Sequence, residues 1–273
     1  MKPPLPQPLQ TRTVDSHCHM DIFTSDGPAG SDVATVLAEA ALVGVDRVVQ
    51  VGCDVASSRF AVECANAWPG RVLATIAIHP NDAARLEDLD AALRIIDELA
   101  GEPRVRAIGE TGLDYFRTPE SGRSEQARSF REHIAIAKRH NKTLMIHDRD
   151  AHEDVLKILH EEGAPDQVIF HCFSGDEVMA KECVASGFVL SFAGTVTFSN
   201  APQLRTALLQ VPLDQLLVET DAPFLTPTPY RGKPNAPYLV PITIRAIAEI
   251  RGEDPEVVAA AVSQTATRVF GPF

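Results

Sequence analysis

No stretch of this sequence is apolar for long enough to cross a bilayer, so a membrane-spanning helix is not its organising element. Gly-x-Gly-x-x-Gly and the P-loop pattern are both missing, which removes the glycine-rich phosphate turn of a doubly wound nucleotide-binding sheet. No two cysteines form a Cys-x-x-Cys pair, and the five present are an odd number. Cys53, Cys64 and Cys183 read as small buried apolar residues in a reducing compartment. Cys18 and Cys172 neighbour histidines but would face away from them on a strand, so they read as structural rather than nucleophilic. Positive charge is scarce: 25 Lys and Arg against 37 Asp and Glu leave a formal charge of −12, which argues against a long basic track for duplex DNA. The first ten residues contain Pro3, Pro4, Pro6 and Pro8 but no apolar core, so they are not expected to act as a secretory signal. Residues 1–11 are expected to be a disordered lead-in, 12–273 one domain, and the cytoplasm the location.

What the chain has in quantity is alternation. Short apolar, β-branched runs at 13–18, 46–52, 72–78, 105–110, 143–148, 167–172, 188–193 and 216–221 have the continuous apolar character of parallel strands covered on both faces. Helical spacing recurs at 32–43, 86–100, 122–140, 152–162, 176–186, 201–210, 238–251 and 255–268, with Ser31 placed to cap the first and Gly252 to stop the seventh. Eight strand-like runs at roughly thirty-residue intervals, alternating with helices, predict an α/β (β/α)8 TIM barrel without an internal boundary.

The site of such a barrel lies at the C-terminal ends of its strands. His17 and His19 are two apart, so both imidazoles leave one face at the end of the first strand. Glu110 ends the fourth, His147 the fifth, His171 the sixth and Asp221 the eighth. The intervals of 37, 24 and 50 residues fit one, one and two βα units. Four histidines and two carboxylates exceed the three protein ligands of a single catalytic Zn²⁺, so two divalent cations are expected, drawn from Mg²⁺, Mn²⁺, Zn²⁺ or Ni²⁺. We expect Glu110 to bridge them, with His17, His19 and Asp221 completing one set and His147 and His171 the other. Such a pair activates water for a displacement, with Asp221 as ligand and proton acceptor, and its local charge of about +4 governs the pocket whatever the outer surface carries. The arrangement predicts hydrolysis and leaves the substrate open.

The blocks His17-x-His19-x-Asp21, Ile78-His79-Pro80, Gly109-Glu110-Thr111-Gly112-Leu113-Asp114, His147-Asp148-Arg149, His171-Cys172-Phe173-Ser174-Gly175 and Glu219-Thr220-Asp221-Ala222-Pro223, with Asn235-x-Pro237, resemble the TatD family of metal-dependent deoxyribonucleases over about 12–270. The resemblance implies a TIM-barrel hydrolase that cuts phosphodiesters of DNA with divalent metal, as a 3'-5' exonuclease on single-stranded ends. The partner expected is therefore a nucleic acid end, with no membrane and no obligate protein partner. The alternative is an acyl hydrolase using the same metals, such as an aminoacyl-RNA deacylase. Related amidohydrolase barrels bridge their ions with a carboxylated lysine at the end of strand four, where this chain has Glu110.

His79, Arg149 and Ser174 are the substrate-contact candidates: a strand-end imidazole, a guanidinium suited to paired phosphate oxygens, and a hydroxyl at the opening of the helix after strand six. Glu219 is read as orienting a ligand histidine, Asp21 and Asp114 as loop acids, and Tyr115, Phe116 and Arg117 as a loop on the site's face where an aromatic could stack on a base. His133, His140, His152 and His160 are expected at the surface.

Overall fold

The computed structural model describes residues 2–273. Eight strands form one parallel sheet in sequential order: β1 Thr13–Cys18, β2 Val45–Gly52, β3 Val72–Ile76, β4 Val105–Asp114, β5 Thr143–Arg149, β6 Val168–Phe170, β7 Val189–Phe192 and β8 Leu216–Val218. The sheet closes on itself. The His19 N–H donates to the Ala222 carbonyl at 2.8 Å, and the Asp221 N–H donates to the His17 carbonyl at 3.0 Å. The expected (β/α)8 barrel is therefore the fold.

The helices are α1 Met20–Phe23, α2 Ser31–Leu42, α3 Val55–Ala67, α4 Pro80–Ala83, α5 Leu89–Leu99, α6 Arg123–Arg139, α7 His152–Glu162, α8 Glu177–Ala185, α9 Pro202–Leu208, α10 Val240–Arg251 and α11 Pro255–Phe270. Their ends follow from capping chemistry. Asp54 and Ser57 form a reciprocal capping box at α3, and Asp176 accepts from the Val178 and Met179 N–H groups at α8. Gly252 ends α10 in the left-handed region at φ +69°.

Several expectations need correction. Ser31 does not cap α2; its hydroxyl donates to Asp26, whose carboxylate also accepts the Asp32 N–H and so performs the capping. Helix α3 was not anticipated, because Ser57 and Ser58 dilute its apolar stripe, although Ala61, Val62 and Ala65 are buried. Strands β6 and β8 end two and three residues earlier than expected, since Cys172 (φ +42°) and Asp221 (φ +55°) turn the chain left-handed. Residues 2–11 are tied down rather than disordered. Leu9 is buried and its N–H donates to the Val43 carbonyl, the Tyr238 hydroxyl donates to the Pro3 carbonyl, and Glu256 accepts from the Gln10 and Thr11 N–H groups. Proline has no N–H to satisfy and little freedom to lose, so this segment docks at small entropic cost.

His133 is not a surface residue either. It lies in the buried stripe of α6 with Phe130, Ile134 and Ala137. One ring nitrogen, Nδ1–H, donates to the Ser129 carbonyl at 2.7 Å, and Nε2 accepts from the Ile78 N–H at 3.0 Å. Only the neutral ring can make both bonds, and burial pushes its pKa down to about 4 from 6.5. Between those values the unfolded chain binds a proton that the native ring refuses. The stability is thus present above pH 6.5 and lost as pH falls to 4, by about 3 kcal/mol. Denaturant titration of His133→Leu should show a deficit at pH 7 of roughly 1–3 kcal/mol from the orphaned Ile78 N–H, and this gap should narrow towards pH 4. A gap constant across that range would refute the assignment.

Candidate metal centre

The six expected donors converge at the C-terminal mouth. His17 and His19 present Nε2 to each other at 3.1 Å, with Asp221 Oδ1 at 3.6 and 3.3 Å from them. Glu110 faces this group through Oε1, at 3.7 Å from His17 Nε2 and 3.6 Å from His19 Nε2. Its other oxygen, Oε2, faces His171 Nε2 at 2.5 Å and His147 Nδ1 at 3.3 Å. One carboxylate thus serves two groups of donors, in the partition the sequence suggested.

The backbone explains how Glu110 gets there. Between Ile108 and Thr111, β4 advances three residues while its partner β5 advances two, from Leu144 to Ile146. This bulge directs the glutamate out of the ladder. It also brings β4 close against β5, where Gly112 lies at φ +135° and a Cβ would collide with the His147 carbonyl.

Each ligand-type histidine is oriented through its second nitrogen. His147 Nε2 lies 3.3 Å from Asp114 Oδ2, His171 Nδ1 lies 3.1 Å from Glu219 Oε1, His17 Nδ1 lies 3.2 Å from Met145 Sδ, and His19 Nδ1 lies 3.8 Å from Cys53 Sγ. Asp114 is accordingly no loop acid. It ends β4, is buried, and is held below the usual carboxylate range because His147, the Arg117 N–H and Asn81 outweigh its burial. The signal was present in the sequence: Glu110, Gly112 and Asp114 are successive residues of one strand face. Cys53 was also missed as a neighbour; its Sγ is 3.2 Å from Glu110 Oε1. Glu219 contacts His171 Nδ1 through Oε1, and its Oε2 is buried with no partner among the described residues.

The electrostatics are those of a site built for cations. Burial would raise the Glu110 carboxyl, but His171, His79, His147 and His17 hold it well below its ordinary value. Burial would lower His19, His147 and His171, yet the surrounding carboxylates raise all three. His17, by contrast, is lowered by burial and by His171, whose ring stacks on it at 4.0 Å. Imidazole lone pairs and carboxylate oxygens packed this closely need positive charge between them. Divalent cations fit this donor set, in exchange for protons on the raised imidazoles.

His79 caps α4 beyond β3, with Nε2 3.9 Å from Glu110 Oε2. Its Nδ1 accepts from the Asn81 N–H at 3.1 Å, which leaves Nε2 carrying the proton, and burial pushes its pKa down to about 3. Arg149 lies at the end of β5 with its guanidinium 3.8 Å from the Phe116 ring centroid, while the neighbouring Asp148 pairs with His152. Ser174 does not open a helix. Its hydroxyl donates to the Asp148 carbonyl at 2.8 Å, and α8 begins later under the Asp176 cap. Asp21, on α1, accepts from Gln50 at 2.7 Å.

Comparison with known proteins identifies the family and the fold. Residues 14–271 match the family described as TatD related DNase. A Mycobacterium tuberculosis protein named uncharacterized metal-dependent hydrolase TatD is 46% identical over 263 residues, covering 94% of this chain and 97% of its own length. A Pectobacterium carotovorum protein named 3'-5' ssDNA/RNA exonuclease TatD is 36% identical over 249 residues, covering 88% of this chain and 93% of its own. Among solved structures, the Escherichia coli TatD homolog YJJV superposes with a TM-score of 0.86 at 26% identity, covering 95% of this chain and 98% of that one. With the family matched from Val14 to Gly271, which takes in all six donor positions, the chain belongs to the TatD related DNase family.

Proposed function

We propose that the protein is a metal-dependent phosphodiesterase that removes nucleotides from the unpaired end of a nucleic acid strand, with single-stranded DNA as substrate and 3'-5' polarity. The coarse assignment, a metal-dependent hydrolase, rests on family membership and on the donor cluster. The finer reading is carried by the divided coordination of Glu110, whose two oxygens face two separate donor groups. The name of the Pectobacterium relative supports the substrate and polarity. The cytoplasmic location belongs to the same proposal and is supported by five free cysteines, three of them buried.

His17, His19, Glu110 and Asp221 would hold one cation, and Glu110, His147 and His171 the other. When bound, such a pair supplies an acidified water and offsets the charge of a phosphodiester in displacement. The chain's own groups do the rest. The Asp221 side chain is 14% exposed against 6% for Glu110, so it is the carboxylate of the cluster better placed to take a proton from entering water. His79, neutral with its proton on Nε2, can donate to a phosphate oxygen or to the departing oxygen. Asp114 and Glu219 keep His147 and His171 in the tautomers that present lone pairs to the centre.

Two outcomes test this. Asp221→Asn and Glu110→Gln should each reduce hydrolysis of single-stranded DNA in Mg²⁺ or Mn²⁺ by at least about 100-fold, with an unchanged circular dichroism spectrum. Wild-type rates in either variant, or a greater rate on an aminoacyl ester than on the oligonucleotide, would overturn the proposal. Metal binding should also be proton-linked. Since His19, His147 and His171 are held above 6.5, a divalent cation must displace their protons, and affinity should fall as pH drops from 8 to 6. Calorimetry with Mn²⁺ at pH 7, in buffers of different ionisation enthalpy, should register net proton release. Binding without release would contradict the ligand set.

A further inference from the structure

The outer rim of the centre carries a feature that the hydrolytic chemistry does not use. Of the 12 Phe, 3 Tyr and 1 Trp, only Phe116 and Phe224 are exposed among the described residues, at 62% and 51%. Single exposed apolar side chains are ordinary. Here, however, both exposed aromatics stand on the same end of the barrel, in the loops after β4 and β8. Those strands lie half a turn apart in an eight-stranded barrel. Glu110 lies within β4 and Asp221 just past β8, so each central carboxylate is followed within six residues by an exposed phenylalanine.

Both rings sit on fixed backbone. At Phe116, the preceding Tyr115 N–H donates to the Arg149 carbonyl at 2.9 Å and the following Arg117 N–H donates to Asp114 Oδ1 at 2.8 Å. At Phe224, the N–H closes a turn onto the Asp221 carbonyl at 2.8 Å, and the Asn235 amide donates to the Phe224 carbonyl at 2.5 Å. The Arg149 guanidinium covers one face of the Phe116 ring, which leaves the other face to solvent and puts a cation beside it. The Phe224 ring centroid is 6.3 Å from that of His19, so this second platform borders the donor cluster directly.

We propose that Phe116 and Phe224 are stacking platforms for the bases on either side of the scissile linkage of an unpaired strand, with Arg149 stiffening the Phe116 platform. The proposal rests on the phosphodiesterase reading and identifies what in this chain would select an unpaired end. A phenyl face accepts any of the bases, so the platforms impose no sequence preference. Bases in a duplex are already stacked on their neighbours and cannot meet two rings on opposite sides of a barrel mouth without being unpaired.

The test uses the full-length, Mn²⁺-loaded protein and two single-stranded oligonucleotides, one intact and one with abasic residues at its last two positions. Phe116→Ala, Phe224→Ala and the corresponding leucine variants, which keep apolar bulk without a π-face, are compared by steady-state kinetics. Each alanine variant should raise KM on the intact strand by roughly five- to a hundredfold, with a smaller change in kcat, and leucine should restore little. Wild type should lose a comparable factor on the abasic strand, and the variants should lose almost nothing further. Wild-type KM in both alanine variants, or an abasic penalty that persists undiminished in them, would overturn the platforms while leaving the hydrolase reading intact. If the wild-type protein leaves the intact strand uncut, the phosphodiesterase reading fails and the platforms fail with it.

Discussion

The closure of the sheet between β1 and β8 is the constraint on which the rest depends. Two backbone bonds, His19 N–H to Ala222 O and Asp221 N–H to His17 O, complete the barrel at the level where its site must lie. Below them the buried Asp15 accepts from the Thr220 N–H at 2.9 Å and the Thr220 hydroxyl at 2.5 Å. A sheet joined at this seam leaves little edge to pair elsewhere, which lets short strands such as Val168–Phe170 and Leu216–Val218 suffice. Three of the four residues whose main chains form the closing bonds also form one donor group with their side chains. Closing the fold and assembling His17, His19 and Asp221 are therefore one event, and a chain with an open seam would have neither.

Glu110 imposes the second constraint, from across the barrel. A carboxylate this deeply buried is tolerated only with positive charge around it. Of the histidines around it, His19, His147 and His171 are shifted toward the protonated form and can provide that charge or yield it to cations. Protonation of these rings and metal binding by them would exclude each other. This local balance is independent of the −12 formal charge of the whole chain, which is carried by an outer surface the centre does not face. An acidic protein with an anionic substrate is no contradiction when the charge that matters sits inside the mouth.

Much of this was legible in the sequence because two periodicities dominate it. Continuous apolar runs identify parallel strands buried on both faces, and polar residues at their ends identify the working face, so His17, His19, Glu110, His147 and His171 could be placed by counting. Counting failed where the backbone leaves its period. Asp221 and Glu219 are two apart, a spacing that puts both on one face of a regular strand. With Asp221 left-handed, Glu219 instead reaches His171 while Asp221 reaches His19. The β4 bulge is likewise invisible as a pattern, although glycines at 109 and 112 mark where the strand must bend. His133 and the proline-rich lead-in show the complementary failure. Their partners are single N–H and carbonyl groups far along the chain, and composition carries no trace of such bonds.

The partners of the histidines make the two halves of the centre unequal. On the Oε2 side of Glu110, His147 and His171 are backed by Asp114 and Glu219, and a carboxylate behind an imidazole increases its basicity as a ligand. On the Oε1 side, His17 and His19 are backed by the sulfurs of Met145 and Cys53, weak partners that lend them no negative charge. Charge on that side comes from Asp221, which is also the more accessible carboxylate. The first half thus resembles a fixed anchor, with charge built in behind the ligands. The second half depends on a carboxylate that must also move a proton if it is to act on water. A residue cannot hold a cation most tightly and accept a proton at the same moment, so on the proposed reading ion exchange and proton transfer would fall to the His17, His19 and Asp221 side. That side is the one formed by the closing seam, and the geometry of the β1–β8 junction therefore bears directly on the chemistry and not only on the fold.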